Sequence, residues 1–256
     1  MEEELINIDN LTISFNGNVL LDNASFTGYS GKVYGLYGKN GSGKTSLINA
    51  LTGFIKPQDG IIELFGKTIN KLTSYKISIL GEGISRTFQV PDIDEDSTIY
   101  ENLTISKRFY NESFINLIYK KNNSERMINE LDEEILKYLK LFDLPGNTKA
   151  NKLSYGVKRL ISVIMCLLTG SRILLFDEPF ANLNPRFIEI LKSLFRDVTR
   201  QHSKLIIIVE HQPDNILEFA DTLLHITNKT ISSYDINADN KKDILEKIID
   251  SSFVYE

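Results

Sequence analysis

Gly38-Lys39-Asn40-Gly41-Ser42-Gly43-Lys44-Thr45 fits the pattern G-x-x-x-x-G-K-[ST]. It follows residues 32–37, which read as a buried strand, and precedes a helix from residue 44 to about 51. The glycines let consecutive backbone N–H groups turn toward one anion. The helix N-terminus adds partial positive charge. Lys44 supplies a full charge for β- and γ-phosphates, and the Thr45 hydroxyl suits Mg²⁺. The string therefore predicts a phosphate-binding loop.

Further along, Ile173-Leu174-Leu175-Phe176-Asp177-Glu178 reads as a buried strand with two carboxylates at its C-terminal end. Ligands of open α/β sheets bind at that end. Asp177 is expected to hold Mg²⁺ through water, and Glu178 to orient or deprotonate an attacking water. Residues 187–199 read as a helix and 205–209 as a second buried strand, an order that predicts a parallel sheet covered on both faces. Before the phosphate loop, residues 5–13 alternate as a half-buried strand, Asn16-Gly17-Asn18 marks a turn, and residues 19–26 read as a second strand. A hairpin is expected around Gly66-Lys67.

Residues 91–152 differ, being richer in charge and Asn. Ser124 is expected to cap a helix with apolar positions Ile128, Leu131, Ile135, Leu139 and Phe142, ended by Pro145-Gly146. An inserted helical subdomain follows. In the tail, Ile244, Leu245, Ile248 and Ile249 share one helical face.

Composition narrows the function. The chain has 256 residues, with 29 Lys+Arg against 34 Asp+Glu and a net charge of −5. That balance disfavours wrapping nucleic acid. Its single cysteine, Cys166, excludes an internal disulfide and an all-cysteine metal site, and its apolar context predicts a buried thiol. Met1-Glu2-Glu3-Glu4 is acidic where a secretory signal would be basic. The longest apolar runs, 160–168 and 205–209, fall short of the ~20 residues that span a bilayer. The expectation is a cytoplasmic protein whose membrane spans, where needed, come from another chain.

Leu153-Ser154-Tyr155-Gly156 lies just before the acidic strand, and a lone Gln89 stands in Arg86-Thr87-Phe88-Gln89. The order phosphate loop, glutamine, L-S-x-G, Asp-Glu and His211 resembles the ABC ATPase family. The resemblance implies an α/β phosphate-loop NTPase: a mixed-sheet core with an antiparallel β subdomain and an inserted helical subdomain. The chain would be one nucleotide-binding domain over 1–256, with core 1–90 and 160–256 and helical subdomain about 91–159. It further implies ATP and Mg²⁺ as ligands. Phe15 would stack on adenine, and Gly38, Asn40, Gly41, Gly43, Lys44, Thr45 and Ser46 would cradle phosphates. Gln89 and His211 would act beside Glu178, and Gln89 would join Thr45 and Asp177 at the metal. Asn182-Leu183-Asn184-Pro185 matches the family's D-loop. Ser154 and Gly156 would serve the ATP of a second ATP-binding subunit, in a homo- or heterodimer.

Arg86-Thr87-Phe88-Gln89, Leu153-Ser154-Tyr155-Gly156 and Leu183-Asn184-Pro185 look like the ATP-binding subunits of branched-chain amino-acid importers, as does Glu101-Asn102-Leu103 after the glutamine. The implied function is energising import of amino acids or similar solutes through separate permease subunits, with a solute-binding protein acting indirectly. The chain would sit on the inner face of the cell membrane. The competing class is a soluble non-transport ABC ATPase, of iron–sulfur assembly or DNA-maintenance type. The sequence departs from the family at Val157, where the signature usually has Gln, and at Thr227-Asn228-Lys229-Thr230, where a glycine-rich hairpin is usual.

Overall fold

The computed structural model describes residues 2–111 and 124–253, without the side chains at 108–111, 124–132 and 249–253. The expected Ser124 cap and the Ile128, Leu131 and Ile249 side chains lie outside the described residues. By contacts the chain forms two compact units: 1–84 with 172–178 and 192–256, and 85–171 with 179–191.

In the first unit, β1 (Glu4–Phe15) and β2 (Asn18–Tyr29) form the expected hairpin. They pair with β4 (Asp59–Leu64) and β5 (Lys67–Thr68) in an antiparallel sheet of order β2-β1-β4-β5. On β1 Ile6, Ile8, Leu11 and Ile13 are fully buried; the alternation breaks between Ile8 and Leu11, where the register shifts and Asn10 takes φ 50°, so both halves of the strand face one core. A second sheet has order β10-β9-β3-β8-β7-β6, from β3 (Val33–Gly38), β6 (Ile84–Arg86), β7 (Ile173–Asp177), β8 (Leu205–Val209), β9 (Thr222–Thr227) and β10 (Thr230–Asp235). Strands β9, β3, β8 and β7 run parallel, whereas β10 returns antiparallel on β9. The sheet is thus mixed, as the family resemblance implies, its parallel part being the strands whose order predicts a parallel sheet. Every residue of β7 and β8 is buried, which explains their unbroken apolar runs.

Helix α1 (Lys44–Leu51) leaves β3 through the glycine loop. The short helix α2 (Ser74–Ser78) is capped by the Thr73 hydroxyl, which accepts from the Lys76 N–H.

The second unit is helical. Helix α3 (Ile99–Asn111) begins with a capping box: the Glu101 carboxylate accepts from the Thr98 N–H at 2.7 Å, and the Thr98 hydroxyl accepts from the Glu101 N–H at 3.2 Å. Buried Asn102 accepts from the Asp94 N–H at 2.8 Å and donates to the Asp94 and Thr98 carbonyls, both at 3.0 Å. Leu103 is fully buried. The Glu-Asn-Leu triplet therefore ties the 94–98 loop to a helix start.

Helix α4 (Ser124–Leu141) ends before Pro145-Gly146, contrary to the sequence reading. Asp143 adopts φ 52°. Its N–H bonds to the Lys140 carbonyl and that of Leu144 to the Leu139 carbonyl, the two bonds of a Schellman cap. Ile135, Leu139 and Phe142 are buried as expected. Helix α5 (Tyr155–Leu168) packs on α3, with the Ser106 hydroxyl donating to the Met165 carbonyl at 2.6 Å. Cys166 on α5 is a buried free thiol.

Helix α6 (Pro185–His202) starts in the second unit and finishes in the first. In the first unit, Phe195 stacks on Phe176 of β7, ring centroids 4.7 Å apart. Helix α7 (Pro213–Phe219) crosses β3 at Gly35, where a Cβ would lie 2.0 Å from Ile216 Cγ2. In the tail helix α8 (Lys241–Phe253), Ile244 and Ile248 are buried.

Candidate active site

Three neighbouring parallel strands end side by side in the first unit. Leu36 of β3 and Asp177 of β7 both pair with Val209 of β8. The glycine loop, the acidic pair and His211 therefore emerge from one edge of the sheet, the carboxyl end where ligands of open α/β sheets bind. The ladder runs slightly past the strands, with the Glu178 N–H on the Val209 carbonyl at 3.0 Å and the Glu210 N–H on the Leu36 carbonyl at 3.2 Å.

Gly43 stands at the N-cap of α1 with φ 106°, a backbone that β-carbon residues rarely adopt. No side chain caps α1, so its first turn offers N–H groups to an anion. Lys44 is nearly buried, and its ammonium donates to the Gly38 and Lys39 carbonyls at 2.6 and 3.0 Å. Burial lowers its pKa from the ordinary value, and the charges of Asp177 and Glu178 oppose that shift. Ser42 Oγ is buried without a hydrogen-bond partner, an orphaned polar atom inside the loop. A cavity of about 280 Å³ beside it is lined by Lys39, Gly41, Ser42, Val19, Leu20 and His225.

Asp177 is 7% exposed at the end of β7. Glu178 follows at φ 50°, a left-handed conformation that turns its carboxylate out of the strand direction. Its Oε1 lies 2.7 Å from His211 Nε2. Thr45 is exposed at the start of α1 and Ser46 half-buried, while Asn40 is exposed at the loop tip. Phe15, 58% exposed, ends β1 on the hairpin whose Leu20 and Leu21 back Gly43.

Gln89, Ser154 and Gly156 belong to the second unit. Ser154 is the N-cap of α5, its hydroxyl accepting from the Val157 N–H at 3.4 Å. Gly156 lies where a Cβ would be 2.2 Å from the Asn182 carbonyl oxygen. Gln89 is exposed, but its backbone carbonyl is not idle: Tyr155 Oη donates to it at 3.0 Å and Arg159 Nη2 at 2.5 Å. Sequence reading did not single out Arg159, because a backbone acceptor leaves no residue signature. Among the described residues no three His, Cys, Asp or Glu side chains form a metal cluster. The oxygen donors Thr45 and Asp177 match instead a hard cation that keeps water ligands.

A mixed sheet with an antiparallel β layer, a phosphate loop leaving β3, an acidic pair ending β7 and a histidine after β8 defines an ATPase of the ABC type. The sequence profile described as ABC transporter matches residues 21–181, and the chain belongs to that family. The high-affinity branched-chain amino acid transport ATP-binding protein BraF of Pseudomonas aeruginosa is 31% identical over 229 residues, 88% of this chain and 89% of that protein. The probable branched-chain amino acid transport ATP-binding protein LivG of Methanocaldococcus jannaschii is 32% identical over 247 residues, 94% and 93% of the two chains. A solved nucleotide-free ATP-binding cassette from an ABC transporter has a TM-score of 0.79 at 28% identity, covering 98% of this chain and 99% of that one. A cassette solved in an ADP conformation gives the same TM-score, 0.79. Among the described residues no helix is long and apolar enough to cross a membrane.

Proposed function

We propose that the chain energises uptake of branched-chain amino acids or similar small solutes by hydrolysing ATP on the inner face of a membrane, with separate permease subunits providing the path. It acts as one nucleotide-binding domain, core 1–90 and 160–256 with a helical subdomain about 91–159. The similarity to BraF and LivG over most of each chain supports the transport class. The observation that carries the chemistry is the Glu178–His211 contact of 2.7 Å, beside an uncapped phosphate loop on adjacent strand ends.

In this reading Phe15 stacks on adenine, and Gly38, Asn40, Gly41, Gly43, Lys44, Thr45 and Ser46 hold the phosphates. Thr45, Asp177 and Gln89 would hold Mg²⁺, which when bound neutralises charge on the β- and γ-phosphate oxygens. Glu178 accepts a proton from the attacking water as the water oxygen bonds to the γ-phosphorus and the bond to ADP breaks. His211 orients Glu178 and the γ-phosphate. Ser154 and Gly156 face the ATP of a second ATP-binding subunit, so two chains sandwich two nucleotides. A solute-binding protein delivers solute to the permease and does not touch this chain.

Glu178→Gln should keep ATP binding while turnover falls roughly 10²–10⁴-fold. Lys44→Ala should instead weaken nucleotide binding itself. Equilibrium binding of a fluorescent ATP analogue and phosphate release, measured on both variants, separate the two effects. Unchanged turnover in Glu178→Gln would remove the base from this mechanism.

A further inference from the structure

We infer that Tyr155 and Arg159 are positioning residues that clamp the Gln89 carbonyl to the first turns of α5, so that the Gln89 and 154–156 segments move as one body. This rests on the role given to Gln89 above. Tyr155 and Arg159 lie one turn apart on α5, at i and i+4, so their side chains meet. Tyr155 Oη donates to the Gln89 carbonyl at 3.0 Å. Arg159 Nη2 donates to the same oxygen at 2.5 Å and to Tyr155 Oη at 3.2 Å. The guanidinium also lies 5.3 Å from the centre of the Tyr155 ring. Both lone pairs of the Gln89 carbonyl are therefore engaged, one of them by a charged donor. Arg159 is only 6% exposed. Pulling Gln89 away would cost a buried guanidinium one of its acceptors.

The same two turns of helix reach the chain just beyond Gln89. Lys158 pairs with Glu95 at 2.5 Å, the lysine mostly covered. On the other side of Gln89, the Arg86 guanidinium lies 4.4 Å from the centre of the Phe88 ring, which stiffens the approach. Displacement of Gln89 by a ligand would thus reach the N-terminus of α5, and the reverse. The coupling acts through the main chain at residue 89, so it survives loss of the Gln89 side chain. What it positions does not.

Tyr155→Phe removes one hydroxyl from a half-exposed ring, and Arg159→Lys keeps the charge but shortens the reach and loses the planar group over the Tyr155 ring. Two measurements on the full chain test the clamp. In amide hydrogen exchange without nucleotide, both variants should exchange several-fold faster over residues 87–90, with the thermal midpoint little changed. Unchanged exchange there overturns the clamp. In ATPase assays Tyr155→Phe should lower kcat about tenfold with KM for ATP within about twofold, the size of one charge-supported hydrogen bond. That loss should vanish in a Gln89→Ala background, because positioning an absent side chain gains nothing. An equal loss in both backgrounds overturns the inference. An inert Gln89→Ala would remove Gln89 from the mechanism above, and the exchange comparison would still decide the clamp.

Discussion

A β-carbon on residue 156 would lie 2.2 Å from the Asn182 carbonyl oxygen. Glycine at this place in the L-S-x-G string is demanded by packing inside its own chain, whatever nucleotide it meets. His225 illustrates the opposite case, a titratable residue with no motif around it. It is 3% exposed on β9, its ring 5.5 Å from that of Tyr37, and burial holds its pKa below the ordinary 6.5. Below about pH 6.5 the unfolded chain binds the proton and the folded chain resists it, so ν_U exceeds ν_N and stability rises with pH. The contribution is complete above pH 6.5 and is lost as pH falls through the folded pKa. Thermal midpoints of the wild type should therefore drop between pH 7 and 5 more steeply than those of His225→Leu. Parallel curves would show that His225 keeps its ordinary affinity for the proton.

Elements were legible where chemistry and periodicity coincide, and less so where the backbone alone decides. The phosphate loop could be read because an anion site needs glycines, a lysine and a hydroxyl in fixed order. Strands β7 and β8 could be read because burial on both faces excludes polar residues until the strand end. Pro145-Gly146 reads as the end of α4, yet the helix stops at Leu141, because Asp143, not a glycine, takes the left-handed cap. The β9–β10 connection was legible only as a departure from a glycine-rich hairpin. The structure shows Asn228 at φ 49° and Lys229 at φ 65°, two left-handed residues between the paired Thr227 and Thr230. That is the backbone of a type I′ turn, whose preferred sequence is Asn-Gly. Lys229→Gly should raise stability by about 0.5–1 kcal/mol, the relief of left-handed strain less the added freedom of the unfolded chain. Denaturant titration at constant m-value would check it, and a loss of stability would show that the lysine stem packs usefully.

For the whole molecule, the residues proposed to act on ATP fall in both compact units, Lys44, Asp177, Glu178 and His211 in one, Gln89, Ser154 and Gly156 in the other. The dimer proposal makes a simple demand on mixtures. Chains carrying Ser154→Ala and chains carrying Glu178→Gln should each be nearly inactive alone. Mixed, they form some dimers in which one site takes an intact Glu178 from the first chain and an intact Ser154 from the second. Turnover should recover to about a quarter of wild type with random pairing. No recovery would mean that each chain completes its own site.

The adjacent ends of β3, β8 and β7 carry a further consequence. Neighbouring strands are held about 4.8 Å apart and in fixed register, so the sheet works as a ruler for the chemistry at its edge. A single inserted residue inside β7 or β8 would turn every following side chain to the opposite face. Evolution can therefore lengthen or shorten this chain freely in its surface connections, while these three strands tolerate substitution but not a change of count. The spacing of the reactive groups is inherited as a number of residues rather than as a set of contacts.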